Sequence, residues 1–376
     1  MKIETTHYYD EFLRYYSLAK TQQDECNLGT IPHMAGTVKD PLMQHVELYD
    51  VVNRKYAGFT QILLDLWYGN SNEHPYSAKL HSVRSPICEK ADRFRETWDL
   101  ADWLYVFIVH RVTGSGINYA KKPSGYNNTI LPALTNCRDL NQMITTIKCR
   151  DRSSSIFTSV GYQFPAFPKV DDRYTLGGDM FLCEYAPRLA DQLAEFLSSG
   201  SSKPLREVGE WMFRWNARND LRAYRFQYAA IIADIADFFP ATVDRTSPFY
   251  YGTNAIECIS YLARPLGRGP KELFLDEVMA KIQQDTDAHP YDAEDVCCDF
   301  IRWIENYVRP GADYDHVDRD AVWNSSTITD HPFGRQKAML SMGLIKSFNE
   351  LSVHPSDDYV LKRVGLTADD YRLLVG

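Results

Sequence analysis

Between His110 and Leu131 the chain reads HRVTGSGINYAKKPSGYNNTIL. The stretch combines two small-residue turns, the basic pair Lys121–Lys122, the tyrosines Tyr119 and Tyr126, and the amides Asn127 and Asn128. Its Gly114-Ser115-Gly116 raises the question of a nucleotide-binding loop. Such a loop follows a strand and opens a helix, whose amino end faces the phosphates. Here the preceding ADRFRETWDLADWLYVFIVHRV places Phe94, Trp98, Ala101, Leu104, Tyr105 and Ile108 at helical spacing. Gly114 therefore reads as a helix stop, and the chain meets the glycines at the negative end of a helix. No GxxxxGK[ST] occurs anywhere in the chain. The kinase and NTPase readings fail on these two counts.

A second group is a row of arginines in 205–239, LREVGEWMFRWNARNDLRAYRFQYAAIIADIADFF. On one continuous helix Arg214, Arg218, Arg222 and Arg225 fall within roughly 80°, a geometry suited to tracking phosphates. A break at NARND would move Arg214 off the row, and acids such as Glu210 are equally able to neutralise it as surface ion pairs. Asp234 and Asp237 lie among Ile, Ala and Phe, where a carboxylate is costly unless paired. They are expected to meet the arginines or a ligand.

The third group is on 293–308, AEDVCCDFIRWIENYV. Val296, Cys297, Phe300, Ile301, Trp303, Ile304, Tyr307 and Val308 share one half of the helical wheel. Asp295, Asp299, Arg302 and Asn306 form a narrow stripe on the other half, with Asp292 as the expected N-cap. Two aligned carboxylates suit cation binding or a general base at a cleft. A solvated face with an Asp299–Arg302 pair, worth about 0.2–0.5 kcal/mol, gives the same pattern.

These groups need helices to position them. Helical periodicity predicts segments near 42–68, 87–112, 186–198, 205–239, 253–263, 271–284, 293–308, 335–350 and 367–374, with 155–164 the best strand candidate. The expected fold is mainly α, a multi-helix globular protein with few short strands. The Ser/Gly-rich LSSGSSKP at 197–204 marks the expected joint between an N-terminal helical lobe, 1–200, carrying the GSG loop, and a C-terminal helical lobe, 201–376. The two lobes are expected to pack as one catalytic unit. The net charge of −9 argues against a uniformly basic nucleic-acid coat but leaves room for a local basic cleft. The 8 cysteines form no CxxC pair and no His stands at zinc-finger spacing, so they read as reduced cytosolic thiols rather than a structural zinc site. No signal peptide is evident, and the apolar run WLYVFIV is too short to cross a bilayer.

Three blocks, taken in order, are HRVTGSGINY…GYNNTILP, RFQYAAIIADIADFFP…VDRTSPFYYGTNAIECI and PYDAEDVCCDFIRWIENYV. Together they resemble the phage α-glutamyl/putrescinyl thymine pyrophosphorylases, a family also described as amino acid:DNA transferases. The resemblance runs from about residue 90 to 310. It implies hypermodification of DNA bases in the cytoplasm of an infected bacterial host. In such pathways a separate phage DNA base kinase activates 5-hydroxymethyluracil in DNA to its pyrophosphate. The transferase then displaces pyrophosphate from the base's CH2 with an amine or amino acid. A chain without a P-loop fits that role. The resemblance also implies an architecture like the helical DNA glycosylases.

The implied chemistry assigns roles to the residues above. The activated base must leave the stack, which costs a few kcal/mol. Tyr119 and Tyr126 are suited to stacking on it, and Asn127 and Asn128 to reading a uracil edge. Gly114, Ser115 and Gly116 shape the wall of the pocket. Arg111, Lys121, Lys122, Arg222 and Arg225 are candidates for stabilising the departing pyrophosphate, with Arg302 and Asn306 further substrate contacts. His110, Asp234, Asp295 and Asp299 are candidates for taking the amine's proton. No motif specifies a protein-held metal; Mg2+ between a carboxylate and the pyrophosphate is compatible with the chemistry but not required. The transferase reading expects the 110–128 loop, the Arg222/Arg225 face and the Asp295/Asp299 face to converge on one cleft. A glycosylase-like base-excising enzyme and a non-catalytic helical DNA-binding module are the two alternatives.

Overall fold

A computed structural model describes residues 1–27, 55, 60–74, 91–113, 180–221 and 225–303 of the protein. Among them are ten α-helices and four short strands, so the fold is mainly α, as expected. The chain forms two compact units. One contains 1–27 and 251–303 of the described residues, the other 60–74, 91–113, 180–221 and 225–250.

In the first unit, β1 (Ile3–Thr5) leads into α1 (His7–Asn27). The remaining described elements are α8 (Thr253–Leu262), β4 (Ala263–Pro265), α9 (Lys271–Thr286) and α10 (Pro290–Trp303). β1 and β4 pair antiparallel, with Ile3 opposite Pro265 and Thr5 opposite Ala263. This ladder ties Ile3–Thr5 to a strand more than two hundred residues away. Tyr9, Phe12, Tyr15 and Tyr16 of α1 pack with Cys258, Ile259, Leu275, Val278, Met279, Ile282, Val296, Cys297 and Phe300. Phe300 lies between Phe12 and Tyr15, with ring centroids 5.4 and 5.3 Å away. Burial, with Cys258 alongside, pushes the Cys297 thiol well above its usual range. Cys183, Cys258, Cys297 and Cys298 are free thiols.

The second unit holds α2 (Gln61–Tyr68), α3 (Ala91–Thr97), α4 (Leu100–Thr113), α5 (Ala186–Ser198), α6 (Leu205–Arg218) and α7 (Arg225–Phe238). A π-helical turn, Phe181–Tyr185, precedes α5. The two-residue strands β2 (Lys203–Pro204) and β3 (Val243–Asp244) pair parallel. Every residue of α4 from Trp103 to Val112 is buried, and α7 is buried from Ala230 to Phe238. Helices apolar around the whole circumference belong in the middle of a fold, and these two form its core. Among the described residues no helix is long and apolar enough to cross a membrane.

Three expectations change. The helix expected over 87–112 is two helices, because Asp99 and Asp102 form a reciprocal capping box. The Asp102 N–H donates to Asp99 Oδ1 at 2.9 Å and the Asp99 N–H to Asp102 Oδ2 at 3.0 Å, starting α4 afresh. The helix expected over 205–239 ends at Arg218 in a Schellman motif. Asp220 takes φ 53°, the Leu221 N–H reaches the Asn216 carbonyl at 2.9 Å, and the Asp220 N–H reaches that of Ala217 at 3.4 Å. The arginines of α6 and α7 therefore do not share one helix, which rules out the continuous phosphate-tracking row. Finally, LSSGSSKP is a turn inside the second unit rather than a joint between lobes at 200. α5 and α6 pack across it through stacked Phe196 and Trp211 rings and a 2.8 Å bond from Trp215 Nε1 to Gln192 Oε1. The strand expected at 155–164 and the helices at 335–350 and 367–374 lie outside the described residues.

Candidate functional site

The last turn of α4 carries two ionisable side chains, His110 and Arg111, that are only 1% and 2% exposed. Arg111 answers with a forked contact. Its Nε donates to Asp234 Oδ2 at 2.6 Å and its Nη2 to Asp234 Oδ1, while Nη2 also reaches Thr60 Oγ1 at 3.2 Å. Asp234 on α7 is 1% exposed. The guanidinium thus ties α4 to α7 and to the start of α2. Bidentate geometry is what lets a desolvated ion pair survive in a core, since both carboxylate oxygens and both donors are used. The expectation that Asp234 meets an arginine holds, but the partner comes from α4 rather than from the arginine row. The pairing engages the same polar atoms that the pyrophosphate-binding role of Arg111 and the base role of Asp234 would use.

Around this pair the second unit buries further polar groups. Asp237, one turn beyond Asp234, accepts from Arg245 Nη2 at 3.4 Å. Tyr228 donates to Asn216 Oδ1 at 2.6 Å, joining α7 to the end of α6. His74 and Asp65 form a buried pair, with Nε2 to Oδ1 at 2.9 Å. This dyad has no signature in the sequence. Its only trace was a His nine residues after an Asp, across the turn that closes α2, and that spacing carries no motif.

In the first unit, α10 buries Val296, Cys297 and Phe300, as the wheel predicts, and leaves Asp295 half-buried. Asp292 is not the N-cap. The helix begins at Pro290 with the Ala293 N–H on the His289 carbonyl at 2.9 Å, so Asp292 stands in the first turn and is 3% exposed. The more consequential acid is Glu294, which the sequence reading passed over. Its Oε1 accepts the Gly252 N–H at 2.9 Å, with Cys298 Sγ at 3.6 Å. Gly252 is the residue before α8, so a carboxylate sits at the positive end of that helix. A Cβ on Gly252 would stand 3.0 Å from the same oxygen, so a side chain there would press on the carboxylate.

Of the other expected site residues, Asp299 and Arg302 fall on α10 and Arg225 opens α7. The side chains of these three, and Gly114, Ser115, Gly116, Tyr119, Lys121, Lys122, Tyr126, Asn127, Asn128, Arg222 and Asn306, lie outside the described residues. The expected convergence of the three faces lies there too. Among the described residues, no group of three or more His, Cys, Asp and Glu is placed to hold a metal ion.

Compared with known proteins, the chain matches no family model, no curated protein and no solved structure.

Proposed function

We propose that the protein is a phage DNA-base transferase. In this reading an amine or amino acid attacks the CH2 of 5-(pyrophosphoryloxymethyl)uracil in DNA. A C–N bond forms, the C–O bond to pyrophosphate breaks, and the amine's proton passes to a base. The three sequence blocks support this reading, and one observation adds to them: polar contacts connect the blocks in order. The first block supplies Arg111 and the second supplies Asp234, which pair in the core of one unit. The end of the second block supplies Gly252 and the third supplies Glu294, which bond in the other unit. Segments far apart in the chain and alike only in their resemblance to one family are thus structurally interdependent.

A helical scaffold with deeply buried ion pairs suits an enzyme that must hold an extruded base rigidly, because reacting groups misplaced by an ångström lose most of their effect. With Arg111 and Asp234 paired internally, the roles of cation and base pass to the remaining candidates. For the cation these are Lys121, Lys122, Arg222 and Arg225; for the base they are His110, Asp295 and Asp299. The test is to incubate the protein with DNA carrying the pyrophosphorylated base and candidate amines, then digest to nucleosides. A heavier nucleoside supports transfer, free base or an abasic site supports excision, and unchanged nucleosides leave a binding module.

A further inference from the structure

From β4 through the loop 266–270 into the first turn of α9 the chain runs ARPLGRGPKELF, residues 263–274. Residues 264–273 are all exposed, the longest such run among the described residues. It holds both large hydrophobic side chains found exposed among them, Leu266 at 54% and Leu273 at 44%. Single exposed leucines are ordinary on protein surfaces. What distinguishes these two is their company: Arg264, Arg268 and Lys271 stand within the same run, against the single acid Glu272. Glu4, opposite Arg264 on β1, is the one further acid placed beside it by the β-ladder. None of the three cations makes an ion pair among the described residues. In a chain of net charge −9, an exposed segment that is locally cationic and carries two exposed leucines stands out.

The loop is also anchored. The Leu266 N–H donates to the Lys2 carbonyl at 2.9 Å, continuing the β1–β4 ladder, and the Met1 amino group pairs with Glu277 of α9 at 2.6 Å. The Met1 side chain lies where a Cβ on Gly269 would be. Cations held on a fixed base lose less freedom on binding than cations on a free tail.

From these features we infer that the 264–273 loop is a docking surface for duplex DNA. Arg264, Arg268 and Lys271 meet backbone phosphates, and Leu266, between Arg264 and Arg268 in sequence, enters the groove against an opened base step. Charge complementarity selects a polyanion, and the apolar tip between cations selects one with stackable bases beneath its phosphates. The inference rests on the DNA-modifying reading but is tested apart from it. Binding is measured by fluorescence anisotropy on the full chain with unactivated 5-hydroxymethyluracil duplex and no amine. The triple variant Arg264→Ala/Arg268→Ala/Lys271→Ala is expected to bind at least about tenfold more weakly. Its slope of log K against log salt should be shallower by about 0.9 for each phosphate that the variant no longer neutralises. Leu266→Ala is expected to keep the slope while abolishing the fluorescence rise of a 2-aminopurine placed at the opened step. The inference is overturned if the triple variant binds like the parent, if Leu266→Ala leaves the 2-aminopurine signal intact, or if the parent prefers phosphatidylglycerol vesicles to duplex. Weaker binding by the triple variant, with a parent that forms no modified nucleoside, sinks the transferase reading alone. Unchanged binding, with a parent that turns over, sinks the loop alone.

Discussion

Arg111 and Asp234 stand 123 residues apart in sequence and share a forked, fully buried contact that joins the two central helices of one unit. Removing either partner alone strands a charge in the core. Arg111→Met and Asp234→Asn are each expected to lower stability by about 3–5 kcal/mol in urea unfolding. The double replacement Arg111→Met/Asp234→Leu should cost clearly less than the sum, because it removes both charges together. Single costs below about 1 kcal/mol would mean that the pair is solvated.

Glu294 makes a parallel case in the other unit. Glu294→Ala leaves the Gly252 N–H without its acceptor and is expected to cost about 1–3 kcal/mol in thermal unfolding. Gly252→Ala places its Cβ 3.0 Å from Glu294 Oε1 and should destabilise on its own. In a double-mutant cycle the two should be strongly non-additive, since without the carboxylate the methyl group has room.

Gly209 on α6 lies under the ring of Tyr250, where a Cβ would come within 2.3 Å of Cε2. The ring cannot easily yield, because its hydroxyl donates to the Arg206 carbonyl at 2.9 Å. Gly209→Ala is expected to cost about 1–3 kcal/mol by overpacking, despite alanine's better helix propensity. Placing it in a Tyr250→Ala background should turn that loss into a small gain, read as a rise in melting temperature.

Asp285 on α9 accepts from Lys281 Nζ at 3.0 Å and from the Tyr9 hydroxyl at 2.8 Å, and these two donors hold its carboxyl below the usual value of 3.8. A carboxylate whose pKa is lower folded than unfolded contributes stability above the unfolded value and loses it as pH falls through the folded one. The melting-temperature gap between the protein and Asp285→Asn should therefore be constant near neutrality and close as pH drops below about 4. A gap that widens on acidification would reverse the sign of the linkage.

The elements most legible in the sequence were those with aliphatic periodicity. α5 falls on its expected 186–198, and α10 buries the expected Val296, Cys297 and Phe300. α1 went unread because its buried face is Tyr9, Phe12, Tyr15 and Tyr16, and tyrosines among Asp, Arg and Lys blur the apolar stripe. Of the two breaks inside long periodic segments, the one at NARND was legible and the one at Trp98–Asp99 was not, although both are made locally by aspartates. Asp99 and Asp102 cap α4, and Asp220 adopts the left-handed turn that ends α6. For the site, composition predicted that Asp234 needs a partner but not which one. For Arg111, the sequence shows a cation near a helix end, not that its side chain is buried. Glu294 carried no signal at all, since its partner is a backbone N–H.

The central claim is that an amine replaces pyrophosphate on a base still attached to DNA. It is tested most directly by supplying a 15N-labelled amine or amino acid with DNA carrying 5-(pyrophosphoryloxymethyl)uracil, then quantifying released pyrophosphate and labelled nucleoside together. The account predicts equal amounts of the two, with the label retained after complete digestion. Release of the base from its sugar, or pyrophosphate released without labelled nucleoside, would contradict it.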